Sequence, residues 1–272
     1  MNGSHLHQLN ATSREVEREI EIDAPVDAVW RALTDARELE RWFPLEAEMT
    51  PGSGGFFRMK WGDAYEIRSD ISIWEPERHL RFDFPAVHGE HLATDYYLEG
   101  RGGKTVLRVV SSGFGVNSDW DESYEGVSRG WDFELLGLRH YLEHHAGRDR
   151  SVILAVQPYS CAHDRAWALL TGPGGWLGDQ GLSCDAPGER YLARTSSGEE
   201  LSGEVLVWQP PRQFGGTVEG FNNALLRIGL ESGHGGSGEV WLMMSTYGLA
   251  SRDVNTLGST WKGSLARLFQ SI

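Results

Sequence analysis

Apolar and charged side chains alternate near the start of the chain. Residues 16–22 read VEREIEI, and this period of two predicts a β-strand with one solvent-facing side. Pro25 suits the first turn of a helix, and apolar side chains then recur at spacings of three and four over residues 26–33. Residues 39–43 predict a short second helix that stops at Pro44. The order so far is strand, helix, helix.

The middle of the chain has the patterning of antiparallel strands. Five strand-like runs follow one another with turn signals between them: GFFRMKW, AYEIRSDISIW, HLRFDF, HLATDYYLE and TVLRVVSS. A long helix is predicted over residues 124–144, with Ser123 or Ser128 as its N-terminal cap. Its apolar stripe, which includes Trp131 and Leu135, would face a curved sheet. These elements predict an α+β fold in which the sheet wraps around the helix.

The second half of the chain repeats the first. Matching tryptophans are separated by 137 residues (Trp30 and Trp167), then 134 (Trp74 and Trp208), then 130 (Trp131 and Trp261). Separations that shorten steadily in the same order indicate two copies of one domain with small deletions. We therefore expect an N-terminal tail over 1–13, a domain over 14–148 and a second, degenerate domain over 151–272.

Charge and cysteine content exclude several classes of protein. Lys and Arg number 25 against 39 Asp and Glu, a net charge of -14, so no nucleic-acid partner is expected. No apolar stretch approaches the ~20 residues of a membrane span, and the first twelve residues lack a signal-peptide core, so a cytoplasmic protein is predicted. Cys161 and Cys184 have no metal-binding spacing, and neither a metal nor a cofactor is predicted.

Three motif matches lack the context that their chemistry needs. GVSRG (126–130) fits the nucleophile elbow of hydrolases, but an acidic segment instead of a strand precedes it. HYLEH (140–144) fits a zinc signature, but both histidines fall opposite the apolar stripe, on a face expected to be solvated. Gly233, Gly235 and Gly238 fit a dinucleotide-binding pattern, but a strand-like run follows them, so they predict a hairpin turn.

Three segments together carry a family resemblance. IEIDAPVDAVWRALTDARELERWFP (20–44), ISIWEPERHLRFDF (71–84) and GVSRGWDFELLGLRHYLE (126–143) occur in this order. The chain thereby resembles the bacterial branch of the activator of heat-shock ATPase homologue family, in the START-like (SRPBCC) superfamily. That resemblance implies two helix-grip domains and, in each, a cavity between long helix and sheet that admits apolar small molecules. It implies no shared catalytic residues.

The leading hypothesis is non-enzymatic binding of an apolar or amphipathic small molecule, such as a lipid or polyketide-like compound, in the first domain. The glycine-rich segment 171–181 replaces the second helix in the second copy, whose cavity we expect to be collapsed. Candidate cavity residues are those expected on the inner surface of the first domain: Trp42, Trp61, Tyr65, Phe82, Phe84, Asp95, Tyr96, Trp131 and Leu135.

Two alternatives remain open at this point. One is a co-chaperone-like module that binds a protein partner, for which the acidic first domain would offer electrostatic complementarity. The other is a cyclase or hydrolase acting in the cavity, which needs an acid-base side chain facing inward. Tyr65, Glu66, Asp95 and His163 are its candidates, although His163 is expected to be a satisfied, partly buried histidine.

Overall fold

A computed structural model describes residues 13–62, 65–85, 91–232 and 237–270. The first domain contains β1 (Arg14–Ile22), α1 (Val26–Thr34), α2 (Ala36–Glu40), β2 (Glu46–Thr50), β3 (Phe56–Lys60), β4 (Glu66–Glu75), β5 (His79–Asp83), β6 (Ala93–Arg101), β7 (Lys104–Phe114) and α3 (Asp121–His140). A 3-10 turn (Ser118–Trp120) precedes α3, and a π-helical turn (Tyr141–His145) extends it. The seven strands form one antiparallel sheet in the order β1-β7-β6-β5-β4-β3-β2.

The second domain follows the same order of elements. It contains β8 (Arg150–Tyr159), α4 (His163–Thr171), β9 (Arg190–Arg194), β10 (Glu200–Gln209), β11 (Gln213–Val218), β12 (Ala224–Ser232), β13 (Gly238–Tyr247) and α5 (Ser251–Phe269), with a 3-10 turn at Glu219–Phe221. Its six strands are ordered β8-β13-β12-β11-β10-β9. Within the described part of the second domain, the edge strand β2 and the helix α2 have no counterpart. Both domains are α+β with a helix-grip arrangement.

Equivalent contacts recur in the two domains at the positions that the repeat aligns. Trp30 packs edge-on against Trp74 with ring centroids 5.2 Å apart, and Trp167 lies 5.9 Å from Trp208. The same turn follows Trp74 in the first domain and Trp208 in the second. Its arginine carbonyl accepts a hydrogen bond from Leu98 N in the first domain (2.9 Å) and from Leu230 N in the second (2.8 Å).

The long helix α3 lies between the two sheets. Its inner face packs into the first core through Trp131, Leu135 and Leu138. On its other side, Phe133 forms a small apolar cluster with side chains from the outer face of the second sheet: Val207, Leu225 and Met243. The contacts that α3 and the loop after α2 make with the second domain are called the seam below. Because the seam covers it, α3 is an interior helix of the whole chain.

The seam overturns the prediction that the face of α3 opposite the apolar stripe is solvated. His140 is buried, and its Nε2 donates to the carbonyl oxygen of Asn223 at 2.7 Å. His145 is also buried and donates to the same oxygen at 3.1 Å, with its ring stacked 4.1 Å from that of Tyr247. His144 alone of the three is exposed. Periodicity within one helix cannot show that a second domain will cover the helix's polar face.

Several local predictions were also wrong. α2 ends at Glu40, so Trp42 and Phe43 lie in the loop that follows it. α3 begins at Asp121 with no side-chain cap, and Ser128 within the helix instead accepts a hydrogen bond from Arg18. The strand β2, with its EAEMT sequence, was not predicted, because three of its five residues are weak strand formers.

Of the two predicted hairpin turns, the first lies wholly within the described residues. Gly102 and Gly103 have φ of 62° and 91° and join β6 to β7, as expected for glycines in a tight turn. Gly233 and Gly235 lie outside the described residues, and Gly238 begins β13, which pairs with β12. No helix within the described ranges is both long and apolar enough to cross a bilayer.

Candidate functional site

An aromatic cluster fills the space between α3 and the concave face of the first sheet. Trp131 on α3 meets Tyr96 on β6 edge to face, with centroids 5.8 Å apart. Tyr96 in turn lies 5.7 Å from Phe82, which stacks on Phe57 at 4.8 Å. Seven of the nine predicted cavity residues belong to this core: Trp42, Trp61, Phe82, Phe84, Tyr96, Trp131 and Leu135.

Half-buried aromatic side chains connect this cluster to the surface. Phe43 lies 6.3 Å from Trp131 and 5.2 Å from Trp61, ring centroid to centroid. Trp61 continues the series to Tyr65 at 5.6 Å. Tyr65 is 54% exposed, so it lies at the rim instead of inside, contrary to its prediction as a cavity residue. Phe84, also half-buried, packs on the same core.

Polar atoms are set into the same inner surface. The indole Nε1 of Trp131 donates to Ser111 Oγ at 2.9 Å, and Ser111 exchanges a second hydrogen bond with Thr94 at 2.9 Å. Ser69 on β4 is 2% exposed, pairs across the sheet with Phe57, and has a buried hydroxyl without a hydrogen-bond partner. Buried hydroxyls are normally hydrogen-bonded, so an unpaired one requires an explanation.

Asp95 lies on the opposite, outer face of the first sheet, contrary to its prediction as a cavity residue. It is 4% exposed, and its carboxylate binds His79 Nε2 at 2.7 Å and Arg81 Nη1 at 2.8 Å. Thr94 and Tyr96 stand on either side of Asp95 along β6 and point inward. Because side chains alternate along a strand, Asp95 points to the other face. The run HLATDYYLE gave no period-two signal, because buried residues occupy both faces of β6.

A surface groove of about 460 Å³ lies on this outer face. Its lining combines acidic, basic and aromatic side chains: Glu19, Glu75, Arg78, His79, Tyr97, Leu98, Glu99, Val106 and Arg108. Tyr97 is held between two of them, with His79 stacked at 4.3 Å and the Arg108 guanidinium 4.4 Å from its ring centre. Positive and negative side chains alternate across the groove, so it selects no single charge.

The remaining acid-base candidates do not face the aromatic cluster either. Glu66 is exposed at the start of β4. His163 is in the second domain, at the start of α4, where it lies 2.6 Å from the Arg212 guanidinium. Burial and the charge of Arg212 lower its pKa. Within the described residues, no group of three or more His, Cys, Asp or Glu side chains is placed to hold a metal ion.

Sequence reasoning missed Glu134, a carboxylic acid at the edge of the aromatic cluster. Glu134 lies one turn along α3 from Trp131, and its Oε1 is 3.2 Å from Arg227 Nη1 on β12. Burial raises the pKa of Glu134 to about 7, although Arg227 and Arg150 act in the opposite direction. Burial and the Glu134 charge in turn raise the pKa of Tyr96. The signal for Glu134 in the sequence was an acidic residue beside the apolar stripe of α3.

Arg150 is a second residue of the seam that the sequence did not single out. It begins β8, and its Nη2 donates to the carbonyl oxygens of Phe43, at 3.1 Å, and Pro44. Its Nε and Nη1 are buried without hydrogen-bond partners. Burial lowers the pKa of Arg150. The second domain thus holds the loop that carries Phe43, the aromatic side chain between Trp61 and Trp131.

The equivalent space of the second domain is closed by a tryptophan. Trp176, from the glycine-rich segment after α4, is fully buried and meets Trp261 of α5 edge to face at 5.1 Å. Its Nε1 donates to Ser264 Oγ at 3.2 Å. Trp261 occupies the position of Trp131 and is 0% exposed, against 8% for Trp131. The first domain is therefore the better candidate for a binding site.

Residues 23–143 match the family described as activator of Hsp90 ATPase homolog 1-like protein. The match lies within the first domain. The match includes Trp131, Glu134 and all of the aromatic cluster, but it ends before Arg150 and Arg227. The seam residues of the second domain therefore lie outside the part of the chain that matches the Hsp90 ATPase activator-like family.

Several solved structures resemble the chain. MLL2253 from Mesorhizobium loti is 24% identical over 49% of this chain and 99% of its own, with a TM-score of 0.44. DynU16, a putative protein of the dynemicin biosynthetic locus, is 20% identical over 94% of this chain and 98% of its own (TM-score 0.42). The di-domain ARO/CYC BexL of the BE-7585A biosynthetic pathway is 14% identical over 95% and 96% (TM-score 0.42). No curated protein matches the sequence.

Proposed function

We propose that the first domain binds an apolar or amphipathic small molecule between α3 and the concave face of its sheet, without chemical change. The observation that carries this proposal is the buried, unpaired hydroxyl of Ser69 on a largely apolar inner surface rich in aromatic rings. A core that served stability alone would gain nothing from such a group, because an unsatisfied buried hydroxyl costs about 1–3 kcal/mol. A ligand with one polar atom would satisfy it.

The path into this space runs beside the half-buried rings. Phe43, Trp61 and Phe84 pack on the core but retain contact with solvent, and Tyr65 marks the rim. Since the inner rings already touch one another, a ligand needs rotation of these side chains to enter. Most of the affinity would come from apolar area removed from water, at about 25 cal/mol per Å². The polar atoms would fix the ligand's orientation.

Titration with the uncharged fluorescent probe N-phenyl-1-naphthylamine tests the proposal. The full chain is expected to bind it with a rise in probe emission, and Trp61→Ala is expected to weaken binding about tenfold, because an aromatic contact is lost. Trp241→Ala is the matched control, since Trp241 is half-buried on the second sheet, away from the site. Equal affinities in all three proteins would contradict the proposal.

Glu134 favours one alternative, an acid-base reaction in the same space. Its pKa of about 7 suits a group that must both accept and release a proton near neutral pH. The test uses small molecules that copurify with the full chain from its host. Conversion by the unmodified protein but not by Glu134→Gln, detected by mass spectrometry, would favour an enzyme over a binding protein.

The co-chaperone alternative rests on the family match alone. Recovery of an ATPase chaperone with the full chain in a pull-down, together with failure of the uncharged probe to bind, would favour it.

A further inference from the structure

Arg150 is an ionised side chain at the seam without an ion-pair partner. Within the described residues, no carboxylate lies within 4.0 Å of its guanidinium, and two of its three nitrogens have no hydrogen-bond acceptor. Leaving a charged donor buried and unsatisfied costs more than leaving a neutral one. The surroundings of Arg150 thus lack an acceptor that its charge requires.

The seam around Arg150 is short of acceptors more generally. Arg227 gives its Nη atoms to Glu134 Oε1 and to Gln213 Oε1, at 3.2 and 2.9 Å, while its Nε is buried without a partner. Arg227 has two carboxylates nearby, Glu134 Oε1 at 3.2 Å and Glu231 Oε1 at 3.6 Å, whereas Arg150 feels the charge of Glu134 only from beyond ion-pair distance.

We propose that Arg150 is the centre of an anion-binding site at the seam, which takes a carboxylate, sulfate or phosphate group. A guanidinium binds such oxyanions through charge-assisted hydrogen bonds, which are stronger than neutral ones. Nη2 is already held by Phe43 O and Pro44 O, so Nε and Nη1 are the free donors. The anion would supply the acceptors that Nε and Nη1 of Arg150 lack.

The bound group could be a free inorganic anion or the acidic end of a larger molecule lodged in the aromatic cluster of the first domain. The second source rests on the proposed function, and the first does not. Phe43 links the two places, because its carbonyl oxygen accepts from Arg150 while its ring contacts Trp61 and Trp131. Two probes separate these sources: sulfate, and the aromatic carboxylate 2-naphthoate.

Isothermal titration of the full chain with each probe, at constant ionic strength, tests the site. Binding is expected for at least one probe, and Arg150→Met is expected to weaken it about tenfold or more, as for loss of a charged hydrogen bond. Arg150→Lys keeps the charge and should retain part of the affinity, which preserves the test if the methionine variant does not fold. Arg148→Met is the control, because Arg148 is exposed two residues earlier.

Each outcome has one meaning. Arg150-dependent binding of sulfate supports a free-anion site, and Arg150-dependent binding of 2-naphthoate without sulfate supports an acidic end on a larger ligand. Binding of neither probe, or binding that Arg150→Met leaves unchanged, overturns the proposal. N-phenyl-1-naphthylamine carries no acidic group, so the unmodified protein should bind it whether or not the anion site exists. Failure of the anion site is thereby distinguishable from failure of the proposed function.

Discussion

The two domains use the space under their long helices in opposite ways. In the second domain, Trp176 fills it and buries Trp261 completely. In the first, the equivalent Trp131 is also buried, at 8% exposure, but Ser69, Thr94 and Ser111 place hydroxyl groups on the inner surface. The comparison teaches that a few side chains decide how the space under the long helix of one fold is filled.

The segment after the first helix of each domain causes this difference. In the first domain it forms α2, and Trp42 behind it is fixed by a hydrogen bond from its Nε1 to Ala32 O at 2.9 Å. In the second domain it is glycine-rich and folds back so that Trp176 N bonds Leu169 O at 2.8 Å. Gly178 has φ of 69°, and a Cβ there would lie 2.5 Å from Arg194 O. Only glycine permits this turn, which places the tryptophan inside.

Replacing Trp176 should have the largest effect on the difference between the two domains. Trp176→Ala is expected to lower the free energy of unfolding of the second domain by about 3–5 kcal/mol, since a fully buried aromatic side chain leaves a cavity. Urea denaturation followed by circular dichroism measures the loss. The variant should also bind N-phenyl-1-naphthylamine at a second site, because the emptied space resembles the one we propose in the first domain.

Trp241→Ala is the matched control for Trp176→Ala. It removes a tryptophan from the same domain, but one that is half-buried on the outer surface of the sheet, so a loss of about 1 kcal/mol or less is expected. If both variants lose equally little, Trp176 does not close the second domain.

The repeat was readable because its signature residues are rigid parts of the core. Trp30 and Trp74 pack together, as do Trp167 and Trp208, so deletions between them shift their numbering without changing their contacts. Periodicity therefore predicted both sheets and both long helices. The closure of the second domain by Trp176 was predicted only as a collapsed cavity, because a glycine-rich sequence does not show where its side chains point.

The seam residues could not be predicted by the same means. Glu134 and Arg227 are separated by most of a domain in sequence, and each has an ordinary position for a charged residue on a helix or strand. His140 had the spacing of a solvated histidine until the second sheet covered it. The hydrophobic pattern of one helix or strand predicts which of its side chains are buried within its own domain. The seam was not predictable in this way, because it depends on how the two domains pack together.

The long helix α3 packs against both domains, the first through its apolar stripe and the second through the seam. His140 tests this packing by its charge. Burial lowers the pKa of His140 to about 4, so its neutral form stabilises the fold above pH 6.5, and this contribution is lost as pH falls toward 4. Relative to His140→Gln, the unmodified protein should lose up to about 3 kcal/mol over that range, by urea denaturation.

His144→Gln provides the control for the His140 variant. His144 is exposed four residues further along the helical chain, so its replacement should leave the pH dependence of unfolding unchanged. An equal response from both variants would mean that the seam does not cover His140 in solution.

Glu134 should give the opposite pH dependence at the same seam. Its pKa is raised, so its protonated form stabilises the fold below about pH 4.5, and this contribution is lost as pH rises through 7. Glu134→Gln imitates the protonated form and should gain about 2 kcal/mol over the unmodified protein between pH 5 and 8, with allowance for screening of the partly exposed pair. Exposed Glu125→Gln, on the same helix, should gain nothing. A flat difference for Glu134→Gln would show that its carboxyl is solvated.

The smallest test compares the serines that hold the two buried tryptophans. Ser111→Ala removes the acceptor of Trp131 Nε1 and the partner of Thr94, so two buried polar groups lose a hydrogen bond and about 2 kcal/mol of stability should be lost. Ser264→Ala removes only the acceptor of Trp176 Nε1, because the other bond of Ser264 goes to a carbonyl of its own helix, and about 1 kcal/mol is expected. Thermal unfolding of both variants measures the difference. Since Ser111 bonds two buried side chains and Ser264 bonds one, Ser111 should be the more costly to remove, and the reverse order would mean that the hydroxyl network of the first domain contributes little.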